Sequence, residues 1–253
     1  MERMMQAPTA SVLLIGDELL SGRTKDKNLG YIADFLAALG IDLREARVVP
    51  DDHDEIVNAV NALRARYSYV FTTGGIGPTH DDITADAIAK AFGVRIDHDP
   101  RAVAILEAHY APGMLNEARL RMARIPEGAE LIANPVSKAP GFRLENVFVM
   151  AGVPKIMQAM LENIAPQLVR GPAMNSSSVT AYIAEGDLAM PLKEIQSRFP
   201  EVTIGSYPFE EAGKFGAKLV LRSRDGRRLA EASREVELMI EALKTGGKVR
   251  QWS

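Results

Sequence analysis

Apolar and polar positions in this chain fall into alternating blocks, short apolar runs followed by stretches with helical spacing. That is the pattern of a parallel sheet covered on both faces. Residues 12–15 read as a buried first strand, preceded by a loose tail over residues 1–10. Leu29, Ile32, Ala33, Leu36 and Leu39 then recur at helical spacing, with Asn28 placed to cap the start and Gly40 to end the helix. A second strand over 42–49, a helical face of Ile56, Val57, Val60 and Leu63, and a third strand over 69–72 follow. That third strand runs into Gly74, Gly75 and Gly77. A helix over 83–92, another from Pro100, a less regular stretch over 134–142 and a strand over 147–150 come next, and Pro154 opens a helix towards Val169.

The stretch 170–178, with Gly171, Pro172 and three serines, reads as a linker between two patterned regions. The expected organisation is a domain over 1–170, a linker over 171–177 and a small domain over 178–253. In the second region a strand over 179–183, a helix over 192–199, strands over 202–206 and 218–222 and a helix over 229–243 give a βαββα order of two-layer type.

Composition narrows the functional classes. With 253 residues, 47% hydrophobic and 25% charged, the chain has the make-up of a globular protein with a sizeable core. A formal net charge of −3 gives no broad attraction to nucleic acid or an anionic membrane, so neither is an expected partner and any phosphate binding has to be local. The absence of cysteine excludes thiol catalysis and thiolate metal sites and fits a reducing compartment, the cytoplasm. No apolar run approaches the ~18 residues of a membrane span, and no signal peptide is legible.

Candidate chemistry collects in two loops. The first reads Gly16-Asp17-Glu18-Leu19-Leu20-Ser21-Gly22; the second reads Thr73-Gly74-Gly75-Ile76-Gly77-Pro78-Thr79-His80-Asp81-Asp82-Ile83-Thr84. In an open α/β sheet ligands bind beyond the carboxyl ends of strands where the winding reverses. Three glycines in four residues let backbone N–H groups converge on an anion, and the following helix adds its N-terminal partial charge. The loop is neither a P-loop, since no Lys-Ser/Thr ending follows, nor the dinucleotide fingerprint. Carboxylates follow it directly and repel phosphate, by about 3 kcal/mol at roughly 5 Å and an effective dielectric near 20. A divalent cation such as magnesium resolves the conflict, held by Asp82 with Asp17, Glu18 or Asp81 and able to polarise phosphorus or activate a water.

Blander readings compete at each position. Asp81, Asp82 and Thr84 also suit a helix cap, and Asp17 and Glu18 a solvated loop entrance. The run Asp51-Asp52-His53-Asp54 and the group Asp97-His98-Asp99 each precede a helix where acidic caps are expected, His80 reads as a solvated loop residue, and Met157 and Met160 as helix core.

Together, Gly16-Asp17-Glu18 with Ser21-Gly22, the Asn28 helix start and the string from Thr73 to Thr84 resemble the molybdopterin-binding domain of the MoaB/MogA type. The version in competence/damage-inducible protein A (CinA) and in the N-terminal part of eukaryotic FAD synthases is similar too through Ala139-Pro140-Gly141-Phe142, Gly152-Val153-Pro154 and Ile204-Gly205-Ser206-Tyr207-Pro208. The resemblance implies a three-layer α/β/α, mostly parallel domain. It implies phosphate binding by Gly74, Gly75, Gly77 and Thr79; Thr73, Pro78, Ser21, Asn28 and Gly141 are further candidates for ligand contact, and Lys138, outside the family pattern, is a candidate for neutralising phosphate. Asp82 would serve the metal or the chemistry, and Asp17 and Glu18 would line the same pocket.

MogA-type members adenylylate molybdopterin with magnesium, whereas CinA-like members are linked to metal-dependent pyrophosphate cleavage of ADP-ribose or FAD-type nucleotides. This chain departs from the subfamily at Ser137-Lys138, where Gly-Thr is usual, and at Ala151, where Pro is usual. It also ends at Ser253, without room for the deamidase or nucleotidyl-transfer domains that many relatives carry, so no deamidase activity on nicotinamide mononucleotide is expected. Three readings stand: a divalent-cation-dependent nucleotide pyrophosphatase, a molybdopterin adenylyltransferase, and a protein that holds a pterin or adenine dinucleotide without turning it over. Family analogy adds a homo-oligomer.

Overall fold

The computed structural model describes residues 7–211 and 213–245. The chain divides into two compact units, Met1–Gly171 and Pro172–Ser253.

In the first unit the order is β1 (Thr9–Ile15), α1 (Asp17–Leu20), α2 (Asn28–Ala38), β2 (Asp42–Val49), α3 (His53–Arg66), β3 (Tyr69–Thr73), α4 (Thr84–Phe92), β4 (Ile96–His98), α5 (Pro100–His109) and α6 (Glu117–Leu120). It continues through β5 (Arg124–Pro126), β6 (Glu130–Ile132), β7 (Gly141–Leu144), β8 (Val147–Met150) and α7 (Pro154–Ile164). The main sheet runs β2-β1-β3-β8-β7-β6. β2, β1, β3 and β8 run parallel, β7 is antiparallel to both its neighbours, and β6 therefore runs with the first four.

Strand period puts alternate residues on opposite faces, and both faces are buried. Leu13 and Ile15 of β1 pack with Ile56, Val60, Leu63, Ile88 and Leu106 from α3, α4 and α5. Val12 and Leu14 pack with Ile32 and Leu36 of α2 and Met157, Met160 and Leu161 of α7. Phe71 and Phe148, from adjacent strands, stack at 5.2 Å in the same layer. Each such fully buried side chain contributes about 1.5–3 kcal/mol. The outcome is the three-layer α/β/α arrangement, with Met157 and Met160 in the core.

Several local expectations are corrected. Thr9 and Ala10 belong to β1, so the tail is shorter than residues 1–10, and residues 1–6 lie outside the described residues. Asn28 does not cap α2; Asp26 does, accepting from the N–H groups of Asn28 and Leu29, while the Asn28 side chain turns inward. Nor does any side chain of the Asp81 to Thr84 run cap α4, whose N-cap residue is Ile83. Strands β4 to β7 went unpredicted. They are only three or four residues long, too short to show a period, and β7 begins inside the stretch that reads as irregular. Two caps are as expected: Asp52 accepts from Asp54 and Glu55 N–H, and Asp99 from Arg101 N–H.

The second unit contains β9 (Asn175–Ala181), α8 (Glu185–Arg198), β10 (Thr203–Glu211), β11 (Lys214–Ser223) and α9 (Gly226–Thr245), the βαββα order. Its antiparallel sheet is ordered β10-β11-β9. Leu188, Leu192 and Ile195 of α8 and Val236 and Ile240 of α9 cover Ala217, Leu219 and Leu221. Ser176, Ser177 and Ser178, read as linker, are strand residues paired with β11. Serine is a poor strand former, but a register against an apolar central strand outweighs propensity. Among the described residues no helix is long and apolar enough to cross a membrane.

Candidate functional site

The sheet order decides where the loops go. β2 and β3 flank β1 on opposite sides, so the winding reverses there, and the loops leaving β2, β1, β3 and β8 emerge side by side at one edge. β7 runs the other way, which brings the segment before it to the same edge. A cavity of about 410 Å³ opens there, lined by Gly16 and Glu18 after β1, Asp51 after β2, Gly74 to Pro78 with Asp81 and Asp82 after β3, Gly152 and Val153 after β8, and Asn134 and Ser137 before β7.

The loop after β3 takes a shape that only glycine permits at two points. Gly74 has φ 108°, and a Cβ there would stand 2.2 Å from the Ile15 carbonyl oxygen; Gly75 has φ 67°, and a Cβ would stand 2.1 Å from Thr84 Oγ1. Thr84, fully buried, fixes the turn by donating its hydroxyl to Gly74 O at 3.0 Å and its N–H to Gly75 O at 3.0 Å. With both carbonyls tied down, the N–H groups of Gly75, Ile76 and Gly77 donate to no protein acceptor among the described residues, and all three residues line the cavity. Successive backbone donors left free in a glycine turn are suited to hold an anion.

Asp82 closes the loop. Its Oδ2 accepts from Thr79 N–H at 2.8 Å and from the Thr79 hydroxyl at 2.5 Å, and it lies where a Gly77 side chain would go, 2.6 Å from an added Cβ. Asp81 is exposed, and its carboxyl is held below the usual carboxylate range, first by its contact with the Thr79 side chain. The Thr79 hydroxyl has a single proton, and its 2.5 Å hydrogen bond is donated to Asp82.

The opposite wall is acidic and less well compensated. Asp51 Oδ2 accepts from the Asp17 N–H at 3.0 Å. Its carboxyl is nonetheless pushed above the usual range, first by burial and then by repulsion from Asp17, Glu18 and Asp81. Sequence reasoning assigned the whole run from Asp51 to helix capping; only Asp52 caps, while Asp54 pairs with Lys90 at 2.8 Å. Asp51 could have been singled out as the acid two residues beyond the carboxyl end of the strand read over 42–49, where an open α/β sheet gathers its ligands.

Other expected positions are spread more widely. Asn28, buried, donates Nδ2 to Gly152 O at 2.8 Å and to Thr73 Oγ1 at 3.4 Å, tying two cavity loops together from behind. Ser21 is exposed, with its hydroxyl between Glu18 O and Arg23. Pro78 lines the cavity; Lys138 is exposed with φ 65°, outside the lining. Gly141 starts β7, where a Cβ would sit 2.3 Å from Val149 O, so its smallness serves strand packing. His80 is exposed, as expected.

Two residues that sequence reasoning missed also shape the site. Asn134 accepts from the N–H groups of Val136 and Ser137 and donates to Ser137 Oγ and Ala139 O, which folds the loop closing the cavity. Arg121 reaches Asp82 O at 3.4 Å.

Glu18, Asp51, Asp81 and Asp82 supply hard oxygen donors to one cavity. Among the described residues no three His, Cys, Asp or Glu side chains converge into a metal cage. The donor set therefore fits a cation that takes one or two carboxylates and completes its shell with ligand oxygens and water, as magnesium does.

Comparison with known proteins bears on both units. Residues 11–170 match the family described as the probable molybdopterin binding domain, and residues 173–246 match the middle domain of FAD synthase. A protein of Aeropyrum pernix is 35% identical over 98% of this chain and 94% of its own length. A CinA-like protein of Citrifermentans bemidjiense is 42% identical over 62% of this chain and 40% of its own. The crystal structure of the protein CinA from Thermoplasma acidophilum, described as of unknown function, superposes with a TM-score of 0.61 at 38% identity, covering 64% of this chain and 98% of that one.

Proposed function

We propose a function from one premise: this chain belongs to the family of the probable molybdopterin binding domain, in its CinA-like form. The first unit binds a phosphate-bearing pterin or dinucleotide together with a divalent cation and hydrolyses a diphosphate bond, with ADP-ribose or an FAD-type nucleotide as substrate. The observation that carries the reading is that the N–H groups of Gly75, Ile76 and Gly77 have no protein acceptor among the described residues while all three residues line an acid-bearing cavity.

Those N–H groups hold phosphate oxygens. Glu18, Asp81 and Asp82 would hold the cation, which when bound offsets the repulsion between carboxylate and phosphate and polarises phosphorus. Asp82 becomes available to it by giving up its two Thr79 bonds, and that releases the Thr79 N–H and hydroxyl towards the phosphate. Asp51, whose carboxylate binds a proton more readily than usual, is suited to take the proton of the attacking water as that water's oxygen bonds to phosphorus and the bridging P–O bond breaks. The cysteine-free composition supports a cytoplasmic location, and family membership supports a homo-oligomer; cell fractionation and light scattering test these two.

Product analysis tests the reaction. Full-length protein with ADP-ribose or FAD and magnesium is expected to release nucleoside monophosphate, and excess chelator to stop it. Transfer of AMP from ATP to molybdopterin without hydrolysis would assign the adenylyltransferase reaction instead. A ligand that binds with magnesium and survives intact would assign binding alone.

A further inference from the structure

Behind the glycine loop lies a cation that the reading above does not use. Arg124 is paired to Asp86 through two bonds of 2.7 and 2.6 Å, and Arg119 lies over the Tyr110 ring. Arg121, between them in sequence, forms no ion pair among the described residues. Its one side-chain hydrogen bond among the described residues is the long one from Nη2 to Asp82 O at 3.4 Å, and its Nε is buried with no hydrogen-bond partner.

The guanidinium borders a chamber of about 20 Å³, room for roughly one water or one phosphoryl oxygen, that shares Gly75, Gly77 and Asp82 with the larger cavity. Partly burying a guanidinium without a counter-ion is unfavourable, and leaving Nε unbonded adds to it. A 3.4 Å bond to a carbonyl is weak compensation. An anion arriving at the loop would offset both terms.

We propose that Arg121 is a phosphate-binding residue, supplying to the Gly74 to Gly77 loop the side-chain charge that its sequence lacks. It contacts the phosphoryl oxygen nearest Gly77, directly or through one water in the chamber, and so favours ligands with a diphosphate over their phosphate-free counterparts. The proposal rests on the phosphate-binding reading of the cavity. A planar five-donor group suits this place better than lysine because the Nη2 contact to Asp82 O can persist while Nε turns to the anion.

The test uses the full chain with magnesium and the α,β-methylene analogue of ADP-ribose, which cannot be cleaved at the diphosphate, with adenosine as the phosphate-free comparison. Calorimetry is expected to show Arg121→Gln weakening the analogue at least 10-fold and flattening its salt dependence, with adenosine unchanged and Arg121→Lys restoring part of the affinity. Wild-type affinity in Arg121→Gln would overturn the proposal and leave the functional reading intact. Equal weakening of the analogue and adenosine in both variants, with a lowered melting temperature of the ligand-free protein, would overturn it in favour of a role in anchoring Asp82. Failure of the wild type to bind the analogue at all would overturn both.

Discussion

The two walls of the cavity carry acids of the same chemistry in opposite electrostatic conditions. On the wall formed after β3, Asp82 has both its available donors from Thr79, and Asp81 beside it ionises more easily than a free carboxylate. On the wall formed after β1 and β2, Asp51 has a single backbone donor, partial burial and three acidic neighbours, and it ionises less easily. The first wall is built around its own hydrogen bonds and is pre-organised without a ligand. The second stores repulsion that a cation or a proton would relieve, and this asymmetry separates a phosphate-holding side from a charge-accepting side.

The largest effect expected is on the pre-organised wall. Gly75→Ala forces a side chain into φ 67° and to 2.1 Å from Thr84 Oγ1, and should destabilise the first unit by about 3 kcal/mol, a fall of roughly 6–12 °C in melting temperature. An unshifted melting curve would show that the loop is not rigid. Asp82→Asn keeps an oxygen that can accept from Thr79, so melting should change little, whereas turnover of ADP-ribose should fall at least ~100-fold, about 2.7 kcal/mol. Near-normal turnover would leave Asp82 a purely structural loop closer.

Removing only the hydroxyl isolates the Thr79 contribution. Thr79→Val should lower stability by about 1 kcal/mol and tighten magnesium binding, because Asp82 loses a competing donor. Calorimetric titration with magnesium alone reads this, and weaker binding would place the cation elsewhere.

The opposite wall should respond to pH with the opposite sign. A carboxyl raised in the folded state contributes stability below its unfolded value and loses that contribution as pH rises through the folded value, so Asp51→Asn should stabilise at neutral pH. The gain should vanish as pH falls below the ordinary carboxylate range. Asp81, lowered when folded, contributes above the ordinary value and loses that contribution as pH falls through its depressed one, so Asp81→Asn should never stabilise. Parallel pH profiles of melting for the two variants would erase the distinction between the walls.

The smallest effect calibrates the rest. Gly30 sits exposed in α2 with nothing within 4 Å of an added Cβ, so Gly30→Ala should stabilise by about 0.5–1 kcal/mol. A loss there would mean that glycine positions in this unit are constrained beyond local sterics.

Much of the frame and part of the site were legible in one dimension. Short strand-like runs located β1, β2, β3 and β8 to within a few residues, helical patterning located α2 to α4, Pro100 and Pro154 marked the starts of α5 and α7, and Gly74, Gly75 and Gly77 marked the turn. These are local properties: a strand or helix exposes its buried face through the period of its own side chains, and a positive φ selects glycine at its own position. The same locality misled at Asn28 and Thr84. Both are good capping types beside a helix start, yet one ties the Gly152 carbonyl and the other the Gly74 carbonyl from buried positions.

Tertiary structure alone decided which strand ends meet. Placing β1 between β2 and β3 brings Asp51 within hydrogen-bonding distance of Asp17, 34 residues earlier, while the pairing of Arg124 of β5 with Asp86 of α4 holds the segment that carries Arg121 near Asp82, 39 residues apart. Reversing β7 delivers the Asn134 loop to the same edge. No local period carries that information, because sheet order is set by the joint burial of two apolar faces across the whole unit. The acids and glycines are therefore written in the sequence, while the sheet order makes Asp51 a member of the site and the packing of β5 against α4 leaves Arg121 beside the loop with no ion pair among the described residues.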